Sequence, residues 1–140
     1  MIRLAVAAFF VLGPLLTTGA QAQRFNAPDG PCSAKIYDVS FATCLHAAWR
    51  GQDVELTRLY GDVLKVLEAR GQVQLRTAQR QWLKFRDAEC EAEHGVYENG
   101  TAAPLAQESC LYDMTRARIA DLHAAFDWRL EKFKDRLGPR

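Results

Sequence analysis

Four cysteines, Cys32, Cys44, Cys90 and Cys110, are the side chains of this 140-residue sequence best suited to chemistry. Cysteine-based zinc sites use close pairs such as Cys-x-x-Cys, whereas the gaps here are 11 residues between the first two and 19 between the last two. The Cys-x-x-Cys-His pattern of a covalently attached haem does not occur. The three histidines, His46, His94 and His123, fall on separate segments, and no Ser-His-Asp or Cys-His set is evident. Each histidine therefore reads as a surface or flank residue. Glycine-rich phosphate loops and the His-Glu-x-x-His metal motif are also missing. The expectation is no catalytic residue, no metal and no cofactor. An even number of cysteines in a small exported chain reads instead as disulfides, and four cysteines permit three pairings.

Export is expected from the first 22 residues. Arg3 supplies a positive start, Leu4 to Leu16 an apolar run, and Ala20-Gln21-Ala22 the small-x-small pattern of a signal peptidase site. The run is short of the roughly 20 apolar residues that span a bilayer, and Gly13-Pro14 interrupts it. A cleaved signal peptide over 1–22, rather than a membrane anchor, follows, and with it a periplasmic or secreted location. Its removal takes away Arg3 alone and leaves 118 residues, with 17 basic and 17 acidic. That length suits one domain with one core. A net charge of zero lacks the basic footprint that nucleic-acid binding needs.

The elements that must position the cysteines are helical. Residues 23–39 form an arm whose Pro28, Gly30 and Pro31 suit turns. The helical domain is expected over 40–137. Its first helix starts near Ser40 as N-cap and repeats Cys44, Leu45, Ala48, Trp49, Gln52, Leu56, Leu59, Tyr60, Val63 and Leu67, ending near Gly71. The second covers about Val73 to His94. On it Leu75, Ala78, Trp82 and Phe85 form a core stripe, Gln79, Arg86 and Cys90 a flank, and Arg80, Lys84 and Asp87 the opposite side. Val96 to Ala103 is a loop turning at Asn99-Gly100. Pro104 then opens a third helix, with Thr101 as one possible cap, running to about Arg136. Its core positions are Leu111, Met114, Thr115, Ile119, Leu122, Phe126, Leu130 and Phe133. The fold class is all-α, a small antiparallel three-helix bundle with two disulfides. Arg118 lies inside the third stripe and must find a partner, for which Gln79 is a candidate.

The second helix also carries a resemblance. Ala78-Gln79-Arg80-x-Trp82 followed by Phe85-Arg86-Asp87-Ala88-x-Cys90 is similar to the signature of the LprI-type lysozyme inhibitors. Cys44 and Asp53-x-x-Leu56 with Tyr60 fit upstream. Asn99-Gly100, Cys110, Thr115, Arg118 and Leu122 fit downstream, so the likeness runs from about Cys32 to Leu122. Thr57 departs from the pattern, where the family tends to have Asn. Proximity in the chain and the family pattern both favour the pairs Cys32–Cys44 and Cys90–Cys110. Gln79, Arg80, Arg86, Asp87 and Arg118 are expected to be structural polar residues, with Arg80 and Asp87 holding the arm or joining a binding surface.

The resemblance implies a binding protein that occludes a lysozyme-like muramidase. The alternative is a non-inhibitory envelope module of the same fold. Lysozymes are commonly basic, and Glu89, Glu91, Glu93 and Glu98 crowd the end of the second helix. This run reads either as a solvated face or as a landing patch for a cationic partner. With Glu91, Glu93 and Glu98, the loop residues Tyr97, Asn99, Gly100 and Thr101 are the candidate partner-binding set.

Overall fold

The computed structural model describes residues 25, 27–34 and 39–138, and the expected signal peptide lies outside them. Three helices follow one another: α1 (Val39–Val66), α2 (Ala69–Gly95) and α3 (Ala103–Lys132), with a short 3-10 turn at Lys134–Arg136. Among the described residues there is no strand. At ~1.5 Å per residue each helix is roughly 40–45 Å long.

α3 is the common wall against which α1 and α2 pack, while those two touch each other little. Cross-helix bonds give the register. His46 pairs with Glu108 and Arg129 reaches the Val66 carbonyl, sequence separations of 62 and 63 near opposite ends of the helices. A constant offset means that α1 and α3 run parallel. From Gln79–Arg118 to Cys90–Cys110 the separation shrinks from 39 to 20, as antiparallel α2 and α3 require.

The main core joins Leu56, Leu59, Val63 and Val66 of α1 to Leu75 of α2 and to Leu122 and Leu130 of α3. The α1 residues recur at i, i+3, i+7 and i+10, one helical face. Each such side chain stabilises by ~1.5–3 kcal/mol when fully buried. Tyr60, Trp82, Ile119 and Phe126 close the sides of this core. A second cluster of Cys32, Phe41 and Leu45, covered by Phe25, Cys44 and Leu105, fastens the arm to the start of α1 and of α3.

Several expected boundaries move for local reasons. α1 ends at Val66 rather than near Gly71, because its last carbonyls find other donors. Arg129 Nη2 donates to Val66 O at 3.1 Å, and Gln72 Nε2 donates to Leu67 O at 3.0 Å. Gly71 thus falls in the first turn of α2. Ser40 lies inside α1, which begins at Val39. The residue capping α3 is Ala102, without a side-chain bond, so Thr101 is not the cap; Pro104 does occupy the first turn. α3 ends at Lys132, and the 3-10 turn continues the chain to Arg136 before Gly138, where φ is +77°.

The larger correction concerns which face of α2 is inside. Leu75, Gln79, Arg86 and Cys90 are buried and Trp82 half-buried, whereas Ala78 is exposed and Phe85 is 58% exposed. The expected flank is therefore the inner face. Cys90, bonded to Cys110 and fully buried, fixes the rotation of the helix, and Arg86 can turn inward because it meets partners there.

Candidate functional site

Both disulfides lie at one end of the bundle. Cys32 is bonded to Cys44 and Cys90 to Cys110, and no described cysteine is free. Cys90 and Cys110 tie the last turn and a half of α2 to the start of α3, so the loop between them begins and ends at fixed points. Within it the backbone closes a series of turns. Tyr97 N donates to His94 O, Glu98 N to Gly95 O, Gly100 N to Tyr97 O at 2.7 Å, and Ala103 N to Gly100 O. Glu98 and Asn99 adopt left-handed φ values of 49° and 63°. That region is costly for most residues and more tolerable for Asn. The turn expected at Asn99-Gly100 is present, but the left-handed pair is one residue earlier.

The candidate partner-binding residues are brought together here. Glu98, Asn99, Gly100 and Thr101 are exposed at the tip, and Val96 beside them is 75% exposed. Tyr97 is half-buried with its ring edge-on to Phe25 at 5.9 Å, so the N-terminal arm braces the loop from behind. Glu91 is exposed on the last turns of α2 and accepts from Gln107 Nε2 at 3.2 Å, while Glu93 is half-buried. At the neighbouring edge His46 Nδ1 meets Glu108 Oε1 at 2.9 Å and stacks edge-on with Trp49.

A polar seam behind this end sets the helices against one another. The Arg86 side chain is 8% exposed and reaches Asp53 at 3.4 Å, Thr115 at 3.5 Å and Asp87 at 2.8 Å, linking all three helices. Arg118 Nε donates to Gln79 Oε1 at 3.2 Å, the contact expected for a cation inside an apolar stripe. The Trp82 ring receives both guanidinium groups, Arg86 at 5.3 Å and Arg118 at 5.7 Å from its centroid. Asp87, exposed on the outer side, is paired with Arg86. Arg80 is exposed and donates to Thr77, a contact inside α2 and not one to the arm. Asp53 and Thr115 are partners that sequence reasoning missed as such, although both belong to the motif pattern.

At the far end an open groove of about 620 Å³ lies between α1, α3 and the 3-10 turn. Its rim is charged, and the charges pair among themselves: Arg58 with Glu55 at 2.6 Å and Asp62 at 2.9 Å, His123 with Asp127 at 2.7 Å, and Lys134 with Glu131 at 3.1 Å. The Arg58 hydrogen bond holds the Glu55 carboxyl below its usual range. None of the candidate partner-binding residues lies here. Among the described residues no group of three or more His, Cys, Asp or Glu could hold a metal ion, and no helix is long and apolar enough to cross a membrane.

The fold class is a small all-helical bundle, stapled by two disulfides and presenting one braced loop. The chain is a member of the family described as lysozyme inhibitor LprI, whose model matches residues 32–122. It is also similar to an uncharacterised protein of Rhizobium meliloti (strain 1021), 28% identical over 119 residues, which cover 76% of this chain and 84% of the relative. No solved structure matches.

Proposed function

We propose that this protein is exported and inhibits a lysozyme-like muramidase by occlusion, with the loop of residues 97–101 entering the cleft. The observation that carries the reading is the shape of that loop. It is closed by Cys90–Cys110, braced by Phe25, and exposes Glu98 to Thr101. Ordering a loop before binding lowers the entropic cost of association. Glu91, Glu93 and Glu98 around it suit a cationic target, whose approach they would steer. The supporting family match concerns proteins described as inhibitors, and a protein that only blocks a cleft needs no catalytic set of its own.

A second reading, a non-inhibitory module of the cell envelope, has a specific observation in its favour. Several motif residues, Gln79, Trp82, Arg86 and Cys90, build the inner frame rather than the exposed loop, so the match speaks first to the fold. A turbidity assay separates the two. Purified protein lacking residues 1–22 is added to a lysozyme digesting bacterial cell walls. Slowed clearing supports inhibition, and unaltered clearing with every lysozyme tried supports the envelope module. Release of muropeptides by the protein alone would contradict both.

A further inference from the structure

On the side of α3 that faces the N-terminal arm, Ser109, Tyr112, Asp113 and Arg116 recur at i, i+3, i+4 and i+7, one helical face. Opposite them the arm makes a tight turn. Gly30 N donates to Ala27 O at 2.9 Å and Ser33 N to Gly30 O at 3.2 Å. A Cβ on Gly30 would come within 3.0 Å of Ala27 O, so a larger residue would crowd this turn. The Cys32–Cys44 bond holds the arm to α1. Between the turn and the helix lies a notch of about 160 Å³, to which Asp29 and the four α3 residues contribute.

The polar groups of this notch are largely unspent. Ser109 is 2% exposed, yet its hydroxyl makes no hydrogen bond among the described residues. Buried polar groups are almost always paired, so a buried hydroxyl on the wall of a notch points to a ligand there. The half-buried Tyr112 hydroxyl makes no hydrogen bond among the described residues either, and the Asp29 carboxylate makes neither a hydrogen bond nor an ion pair among them. Asp113 is engaged, with Arg116 Nη2 at 3.8 Å, and the Arg116 guanidinium also lies 6.0 Å from the centroid of the Tyr112 ring. Asp113 and Arg116 offset each other's charge, which leaves Asp29 as the uncompensated charge of the notch.

We propose that this notch binds a primary ammonium group, carried by a lysine side chain or by a free amine. An ammonium has three N–H donors and no acceptor. Asp29, Ser109 and Tyr112 each bring an unspent acceptor to the notch, and the positive charge meets Asp29. Hydrogen bonds in which both partners are charged are the stronger ones. A carboxylate or phosphate would meet Asp29 with like charge, and a neutral hydroxyl would leave Asp29 uncompensated. The volume sets the size of the ligand. Pockets that enclose a whole small molecule hold roughly 300–1,000 Å³, so about 160 Å³ admits a single end group on a narrow stem. The helix face and the disulfide-held turn fix the acceptors before anything binds, which lowers the ordering cost.

A nuclear magnetic resonance titration of the purified protein, with both disulfides formed and no muramidase present, tests this apart from the inhibitor reading. The probes are n-butylammonium, as a free amine, and Nα-acetyl-lysine methylamide, as a lysine side chain. Each should shift the amide signals of Asp29, Gly30, Ser109 and Tyr112 in a saturable way, with a dissociation constant on the order of 1–10 mM. The tighter of the two names the source. Acetylating the lysine amine of the second probe removes its charge and should abolish the shifts. Asp29→Asn should raise the dissociation constant about tenfold and Ser109→Ala about threefold or more. Both substitutions are close in size to the original residue, and an unchanged helical spectrum shows that the variants fold. Asp121→Asn, an equal loss of charge at an exposed position elsewhere on α3, should leave it unaltered. No saturable shift up to about 50 mM of either amine, binding indifferent to Asp29→Asn, or stronger shifts of the same amides by methyl glucoside or acetate would overturn the proposal.

Discussion

Arg86 is the side chain on which the arrangement of the helices turns. It is buried, yet its guanidinium meets Asp53 of α1, Thr115 of α3 and its neighbour Asp87. The planar fork can hold several partners at once, which a lysine ammonium cannot reproduce. Arg86→Lys should therefore destabilise the fold by about 1–3 kcal/mol in urea unfolding, through polar groups left without donors. Trp82, held between Arg86 and Arg118, should cost ~3 kcal/mol when truncated to Ala, whereas Phe85→Ala should stay within about 0.5 kcal/mol, as exposed positions do. Comparable losses at Trp82 and Phe85 would put the wrong face of α2 inside. Arg118–Gln79 was legible in the sequence, because a cation within an apolar stripe demands a partner and few are offered. The Arg86 set was not, since its partners lie 33 and 29 residues away and no local pattern joins them.

At the level of the elements, the three helices and their order were readable from hydrophobic spacing, from Pro104 and from the Asn99-Gly100 turn. The face of α2 was not. Counting apolar residues favours Phe85 over Gln79 and Arg86, but the buried Cys90–Cys110 bond and the arginine contacts turn the helix the other way. The end of α1 was equally hidden, because Arg129 comes from 63 residues further on. Replacing Cys90 and Cys110 by Ser should lower stability by about 3 kcal/mol in the chain-entropy view of a loop this long, measured as a drop in melting temperature. The Glu55–Arg58 pair on α1 predicts a pH dependence of known sign. The folded carboxyl titrates below its ordinary 4.5, so its contribution is present above that value and fades as acid protonates the folded form. Wild type should exceed Glu55→Gln in melting temperature at neutral pH and match it in acid. An advantage that grew on acidification would reverse the assignment.

Across the whole molecule, charge and disulfides are distributed unevenly. Cys32–Cys44, Cys90–Cys110, the braced loop and the glutamates of late α2 share one end, while the self-paired ion network occupies the other. If the acidic end steers a cationic muramidase, Glu93→Lys/Glu98→Lys should slow the onset of inhibition without altering the helical spectrum. Added salt should slow the wild type too, since screening acts over about 10 Å at 0.1 M. Equal onset rates for wild type and variant would make these glutamates a solvated face only.

The most direct test of the central claim compares two proteins in one lysozyme turbidity assay: the wild type with both disulfides formed, and a folded variant whose Tyr97 to Thr101 segment is replaced by glycine and serine. Wild type should slow clearing in proportion to its concentration, and the variant should lose most of that effect while keeping its helical spectrum. Inhibition that survives loss of the loop would contradict the placement of the site, and a wild type that leaves every lysozyme unaffected would contradict the inhibitor reading itself.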